Sequence, residues 1–129
     1  MENIKYEVTT EKSFEEAVES VIKSLKDQKF GVLWQVNFKD KLQEKGVDFN
    51  KNFMVLEVCN PHKAKEVLEK HLDVGYFLPC KVVVYEDSNS VKIGMLSPEK
   101  LIGLLGYEDL NETAKEVQKT IASAIDNAK

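Results

Sequence analysis

Apolar and polar residues alternate in two distinct periods along this chain, and the switches between them mark its elements. Ile4, Tyr6 and Val8 alternate with Lys5, Glu7 and Thr9, the period of a strand with one wet face. Phe14, Ala17, Val18, Val21, Ile22 and Leu25 then recur every three or four residues, which places them on one stripe of a helix. Ser13 and Glu16 stand before that stripe as a capping box. Phe30 to Asn37 reads as a second strand, with Phe30, Val32, Trp34 and Val36 on one face and Gly31, Leu33, Gln35 and Asn37 on the other. The polar stretch after it holds a short helix over Lys39 to Lys45, closed by Gly46.

The segment from Asn52 to Glu86 is the centre of the chain and carries both cysteines and both histidines. Phe53 to Cys59 is apolar except for Glu57, the pattern of a buried strand. Asn60 and Pro61 begin a helix: asparagine accepts from free N–H groups, and proline is tolerated at the first helical position. Ala64, Val67, Leu68 and Leu72 supply its apolar face, and Asp73-Val74-Gly75 ends it. Lys81 to Tyr85 is the next strand, β-branched and aromatic, with Pro79 just before it. A right-handed crossover through the helix predicts parallel strands, which puts Cys59 and Cys80 at opposite ends of the sheet and out of disulfide reach. The strands become antiparallel instead if the loop from Asp73 to Pro79 carries the chain back to its starting end.

Asp87-Ser88-Asn89 is a hairpin turn into a fifth strand over Val91 to Leu96. Ser97-Pro98 starts a short segment that is apolar on more than one face, through Leu101, Ile102, Leu104 and Leu105, and Gly106 stops it. Asn111 is the expected cap of a last helix facing inward through Ala114, Val117, Ile121, Ile125 and Ala128. The order β-α-β, β-α-β, then a strand and two helices predicts one α+β domain over residues 1–129. Its expected form is a split β-α-β, ferredoxin-like two-layer sandwich, with a mostly antiparallel sheet, helices on one face and extra C-terminal elements.

Composition narrows the function classes. All 18 basic residues among the 129 are lysine and the net charge is -4. The chain therefore lacks the planar guanidinium that reads phosphate and guanine, and nucleic acid is not an expected partner. No apolar run reaches membrane-span length, so no membrane association is expected. The opening residues show no secretory signal, and the expected location is cytoplasmic. No phosphate loop, dinucleotide fingerprint, nucleophile elbow or zinc-protease motif occurs, and the sequence leaves any cofactor unknown. Gly103 and Gly106 are helix-loosening and helix-stopping residues.

Candidate chemistry clusters in the central segment. Cys59 and His62 form a C-x-x-H at a helix mouth, where the dipole favours a thiolate, and the same pair with Cys80 or Glu57 could offer metal ligands. A structural zinc site wants four ligands, and no second paired knuckle is present, so no metal is assigned. Buried inert cysteine is the commoner state. His71 falls within the apolar stripe of its helix, as a buried base or, more commonly, as a hydrogen-bonded residue near the helix C-terminus. Glu57, sharing a face with Val55 and Cys59, needs a partner if buried. Trp34 and Gln35 are candidates for core filling or a ligand wall. The candidate site residues are Cys59, His62, Glu57, Asn60 and Cys80.

At Val58 to Pro61, Leu78 to Cys80 and Val84 to Glu86 (VCNP, LPC, VYE) the chain resembles the domain of unknown function 302 family, and Ser97-Pro98 and the LIGLLG run fit the same pattern. The resemblance implies a small, often self-associating α+β domain with no assigned reaction. It marks Cys59, Asn60, Pro61 and Cys80 as pattern positions without giving them roles. The expected function is a binding or interaction module, acting as a homodimer with Leu101 to Tyr107 as the contact. The alternative is a thiol- or metal-dependent enzyme or redox carrier using Cys59 and His62.

Overall fold

The computed structural model describes residues 3–129. The strands are β1 (Lys5–Thr10), β2 (Gly31–Asn37), β3 (Phe53–Cys59), β4 (Cys80–Asp87) and β5 (Ser90–Leu96). The helices are α1 (Phe14–Asp27), α2 (Phe38–Glu44), α3 (Pro61–Lys70), α4 (Pro98–Gly103) and α5 (Asn111–Ala128), with 3-10 segments at Leu72–Phe77 and Glu108–Leu110. The strands form one sheet in the order β1-β5-β4-β3-β2, and every neighbouring pair is antiparallel. The expected α+β architecture is present: α1 and α5 pack together on one face of the sheet.

Period-two alternation sets that packing. Leu56, Val82 and Met95 lie side by side across three strands, as do Met54, Val84 and Ile93. Together they meet Val21 and Leu25 of α1 and Ile121 and Ile125 of α5. All but the partly buried Met54 are buried, and full burial of such an aliphatic side chain contributes about 1.5–3 kcal/mol of transfer free energy. Ser13 opens α1 by accepting from the Glu16 N–H at 3.2 Å. The β4–β5 turn holds Ser88 and Asn89 at positive φ, the backbone of a primed two-residue hairpin turn.

Several local expectations are corrected. β3 and β4 are antiparallel, with Val58 opposite Cys80. The helix between them is shorter than its pattern suggests. It ends at Lys70, about 15 Å from its start at 1.5 Å per residue, and the 3-10 segment Leu72–Phe77 returns the chain to the same end of the sheet. Cys59 and Cys80 are therefore near neighbours, and both are free.

In β2 the register slips between Val32 and Trp34, so that Val32 faces Val58 while Trp34 faces Glu57 and Val36 faces Val55. This bulge at Leu33 turns Trp34 and Val36 away from the helical layer. Asn111 does not cap α5 with its side chain, because the 3-10 turn Glu108–Leu110 feeds directly into the helix.

A second, smaller core lies beyond the sheet, where Val67 of α3, Val74, Ile102 of α4, Leu110 and Ala114 of α5 meet. Ile102, Leu105 and Tyr107 are covered within the chain by this cluster. Within the run from Leu101 to Tyr107 these three side chains find partners inside the chain, and Leu104 stays exposed. Ser97, fully buried, joins the two parts: its hydroxyl accepts from the Lys100 N–H at 3.1 Å and donates to Gln118 of α5.

At Gly94 the backbone of β1 leaves no room for a side chain on β5. A Cβ there would stand 2.9 Å from the Tyr6 carbonyl oxygen. Gly94→Ala is expected to lower stability by about 1–3 kcal/mol, as overpacking against fixed backbone does, read as a fall in the urea midpoint at unchanged m-value. An unchanged midpoint would contradict this close approach.

Candidate functional site

The sheet face opposite α1 and α5 is only partly covered, and its side chains form three rows across the strands. The middle row is Glu7, Gly94, Val83, Val55 and Val36. On one side of it stand Lys92, Tyr85 and Phe53, with Phe38 beyond. The Phe53 and Tyr85 rings are stacked at 5.4 Å, and Phe38 meets Phe53 edge-on at 5.9 Å. On the other side run Lys81, Glu57 and Trp34. The chain enters β4 from the 3-10 segment and leaves β5 into α4, so Tyr76, Phe77, Pro98 and Leu101 wall one end. The result is a cleft of about 570 Å³ with an apolar floor and charged margins, a volume within the usual range for small-molecule sites.

One polar group in this cleft is fully engaged. The Tyr85 hydroxyl donates to Glu7, and Lys5 and Lys92 lie 3.8 Å and 3.7 Å from the same carboxylate. That hydrogen bond, reinforced by burial and the negative charge of Glu7, pushes the Tyr85 pKa up to about 12. Sequence patterning missed this group because Glu7 and Tyr85 are far apart in the chain and each reads as an ordinary strand residue. The only available signal was that Glu7 alternates with the residues of the buried face.

The sequence-derived candidates do not converge. Glu57 and Cys80 border the large cleft, while Cys59, Asn60 and Cys80 border a separate crevice of about 30 Å³ beside Phe30 and Lys63. Asn60 is the N-cap of α3, accepting from the N–H groups of His62 at 3.0 Å and Lys63 at 3.2 Å. His62 is exposed on another surface, among Lys65, Glu66, Glu69 and Lys70. Trp34, 62% exposed, is no part of the core. His71 is the C-cap of α3, with Nε2 3.0 Å from Asp109 Oδ1 and its ring stacked on Tyr107, which is the hydrogen-bonded helix-end role.

Neither thiol is activated. Burial raises the Cys59 pKa. Burial, with the negative charges of Cys59 and Glu57 behind it, pushes Cys80 up to about 11. Desolvation thus outweighs the favourable helix dipole expected at Cys59. Among the described residues no group of three or more His, Cys, Asp or Glu is placed to hold a metal ion. Among the described residues no metal- or thiol-based catalytic centre is assembled, and no specific catalytic activity can be assigned.

These shifts fix a pH dependence. Cys80 and Tyr85 ionise at higher pH in the folded chain than in the unfolded one, so unfolding releases protons and stability falls as pH rises. The loss begins near the ordinary thiol range, about pH 9, and continues through about 11 and 12. The thermal midpoint is expected to drop between pH 8 and 11. Cys80→Val or Tyr85→Phe should flatten that slope; equal slopes in all three proteins would refute the assignment.

The comparison with curated proteins gives no match. The crystal structure of an uncharacterized conserved protein DUF302 from Bacillus stearothermophilus is similar to this chain. It shares 44% sequence identity with a TM-score of 0.93, over 98% of each chain. The family model "Domain of unknown function DUF302" matches residues 6–128. With the VCNP and LPC elements facing each other across β3 and β4 inside that match, the chain belongs to the DUF302 family.

Proposed function

We propose that this protein is a binding module whose ligand lies in the cleft on the open face of the sheet. The observation that carries this is the cleft itself. It is an apolar floor of Gly94 and Val83 between an aromatic wall and a charged margin, on a sheet whose other face is already filled by α1 and α5. Small-molecule sites have this composition, mostly apolar with a few placed polar groups. Gly94 contributes by what it lacks: no side chain rises from the floor beside Glu7.

The test is an environment-sensitive anilinonaphthalene dye. It is expected to bind saturably to the native protein with enhanced emission. Val83→Phe, which fills the floor, should weaken that binding about tenfold without lowering the thermal midpoint. No dye binding, or equal binding to the filled variant, would defeat this function.

A homodimer working in the cytoplasm belongs to the same proposal. No helix among the described residues is long and apolar enough to cross a membrane, and the acidic, arginine-free composition disfavours nucleic acid as a partner. For self-association the support comes from three side chains. Leu72, Tyr76 and Leu104 are 82%, 89% and 76% exposed, and the segments that carry them, Leu72–Phe77 and the end of α4, pack against each other. Grouped exposed apolar side chains of this size mark contact surfaces, and a twofold axis closes such a contact. Sedimentation velocity at micromolar concentration is expected to give a dimer, and Leu72→Glu with Leu104→Glu a monomer. A monomeric parent protein at high micromolar concentration would rule the dimer out.

A further inference from the structure

The charged margin of the cleft carries two groups that the fold leaves unused. Glu57 on β3 and Lys81 on β4 are directly opposite one another in the register, and both border the cleft. Among the described residues neither side chain makes a hydrogen bond or an ion pair within the chain. The contrast is with Glu7 across the same cleft, which takes the Tyr85 hydroxyl and lies within 4 Å of two lysines. Glu57 is half-buried, and a carboxylate withdrawn from water without a partner is costly. On its other side stands the exposed indole of Trp34, whose face attracts cations.

Resting on the cleft as the binding seat, we infer that its ligand is an aromatic zwitterion: a cationic nitrogen for Glu57, a carboxylate for Lys81 and an aromatic body over Val83 and Gly94. Directly opposite residues on antiparallel strands have Cβ atoms about 4.5–5.5 Å apart, so the two charges can engage the ammonium and carboxylate of one small molecule together. A purely cationic ligand would bring its charge beside Lys81, and a purely anionic one beside Glu57. Only a molecule with both charges gains at each. The stacked Phe53 and Tyr85 rings give the aromatic body an edge or face to meet. The glycine in the floor leaves room for it.

Trp34 is the chain's one tryptophan and is the register partner of Glu57 on the neighbouring strand, so its emission, excited at the red edge where phenyl compounds do not absorb, reports a cation engaged at Glu57. The native protein is titrated near pH 7 with phenylalanine, with phenethylamine, which lacks the carboxylate, and with 3-phenylpropanoate, which lacks the ammonium. Phenylalanine is expected to give a saturable shift, and each truncated compound to bind at least about tenfold more weakly, the loss of one charge-assisted contact. Glu57→Gln should weaken phenylalanine by a similar factor and leave 3-phenylpropanoate no weaker. Lys81→Met should weaken phenylalanine and leave phenethylamine no weaker. Circular dichroism and thermal midpoints establish that both variants are folded. Equal binding of the three compounds, indifference of phenylalanine binding to both charge variants, or no saturable response to phenylalanine would each overturn the zwitterion. The dye separates the two levels of failure: if it still binds and is excluded by Val83→Phe, the cleft remains the binding seat and only the ligand class falls, whereas absence of dye binding removes both.

Discussion

The antiparallel pairing of β3 with β4 is the constraint on which the rest of this structure depends. Once Val58 faces Cys80, Leu56 faces Val82 and Met54 faces Val84, and a continuous aliphatic surface is available to α1 and α5. The same register places Glu57 against Lys81, Val55 against Val83 and Phe53 against Tyr85 on the other surface. Because side chains alternate strictly along a strand, a shift of one residue would exchange the two surfaces wholesale. The core and the cleft are thus two sides of one decision, and the burial of the aliphatic surface holds the cleft's rows in place.

The return path from β3 to β4 makes that pairing possible, and it builds the second core. A crossover helix lying on the sheet would have made the strands parallel. α3 instead packs beyond the sheet, against the 3-10 segment and the first turns of α5. The long α5 then serves both clusters: Ala114 lies in the small one, Val117 to Ala128 in the large one. Ser97 bonded to Gln118 ties the exit from β5 to the middle of the same helix. The walls of the cleft, in the 3-10 segment and α4, therefore owe their position to a helix on the other side of the sheet.

The neighbouring cysteines show how burial and position compete. Cys59 stands beside a helix N-terminus, which favours a thiolate, yet its pKa is raised. Asn60 already satisfies the first free N–H groups of α3, and proline removes another at the first position. Little of the helix terminus is left to stabilise a charge on sulfur. Cys80, deeper and facing the core beside Val58, is held more firmly neutral. Both behave as small apolar side chains.

The amino-acid sequence by itself determined the elements and their inward faces. The stripe from Phe14 to Leu25, the Ser13, Asn60 and Ser97 starts, the Asp87-Ser88-Asn89 turn and the α+β class all follow from local periodicity and capping chemistry, which act over a few residues. The VCNP and LPC elements also carried the family. What only the tertiary structure decided is long-range. The direction of β4 depended on where a ten-residue helix found its apolar partners. The face of Trp34 depended on one extra residue in β2, Leu33, whose bulge has no local signature in the alternation. The candidate site moved for the same reason. Cys59 and His62 are three residues apart but point to different surfaces, while Glu7, Glu57, Lys81 and Tyr85 come together only because five strands, distant in the chain, share a sheet.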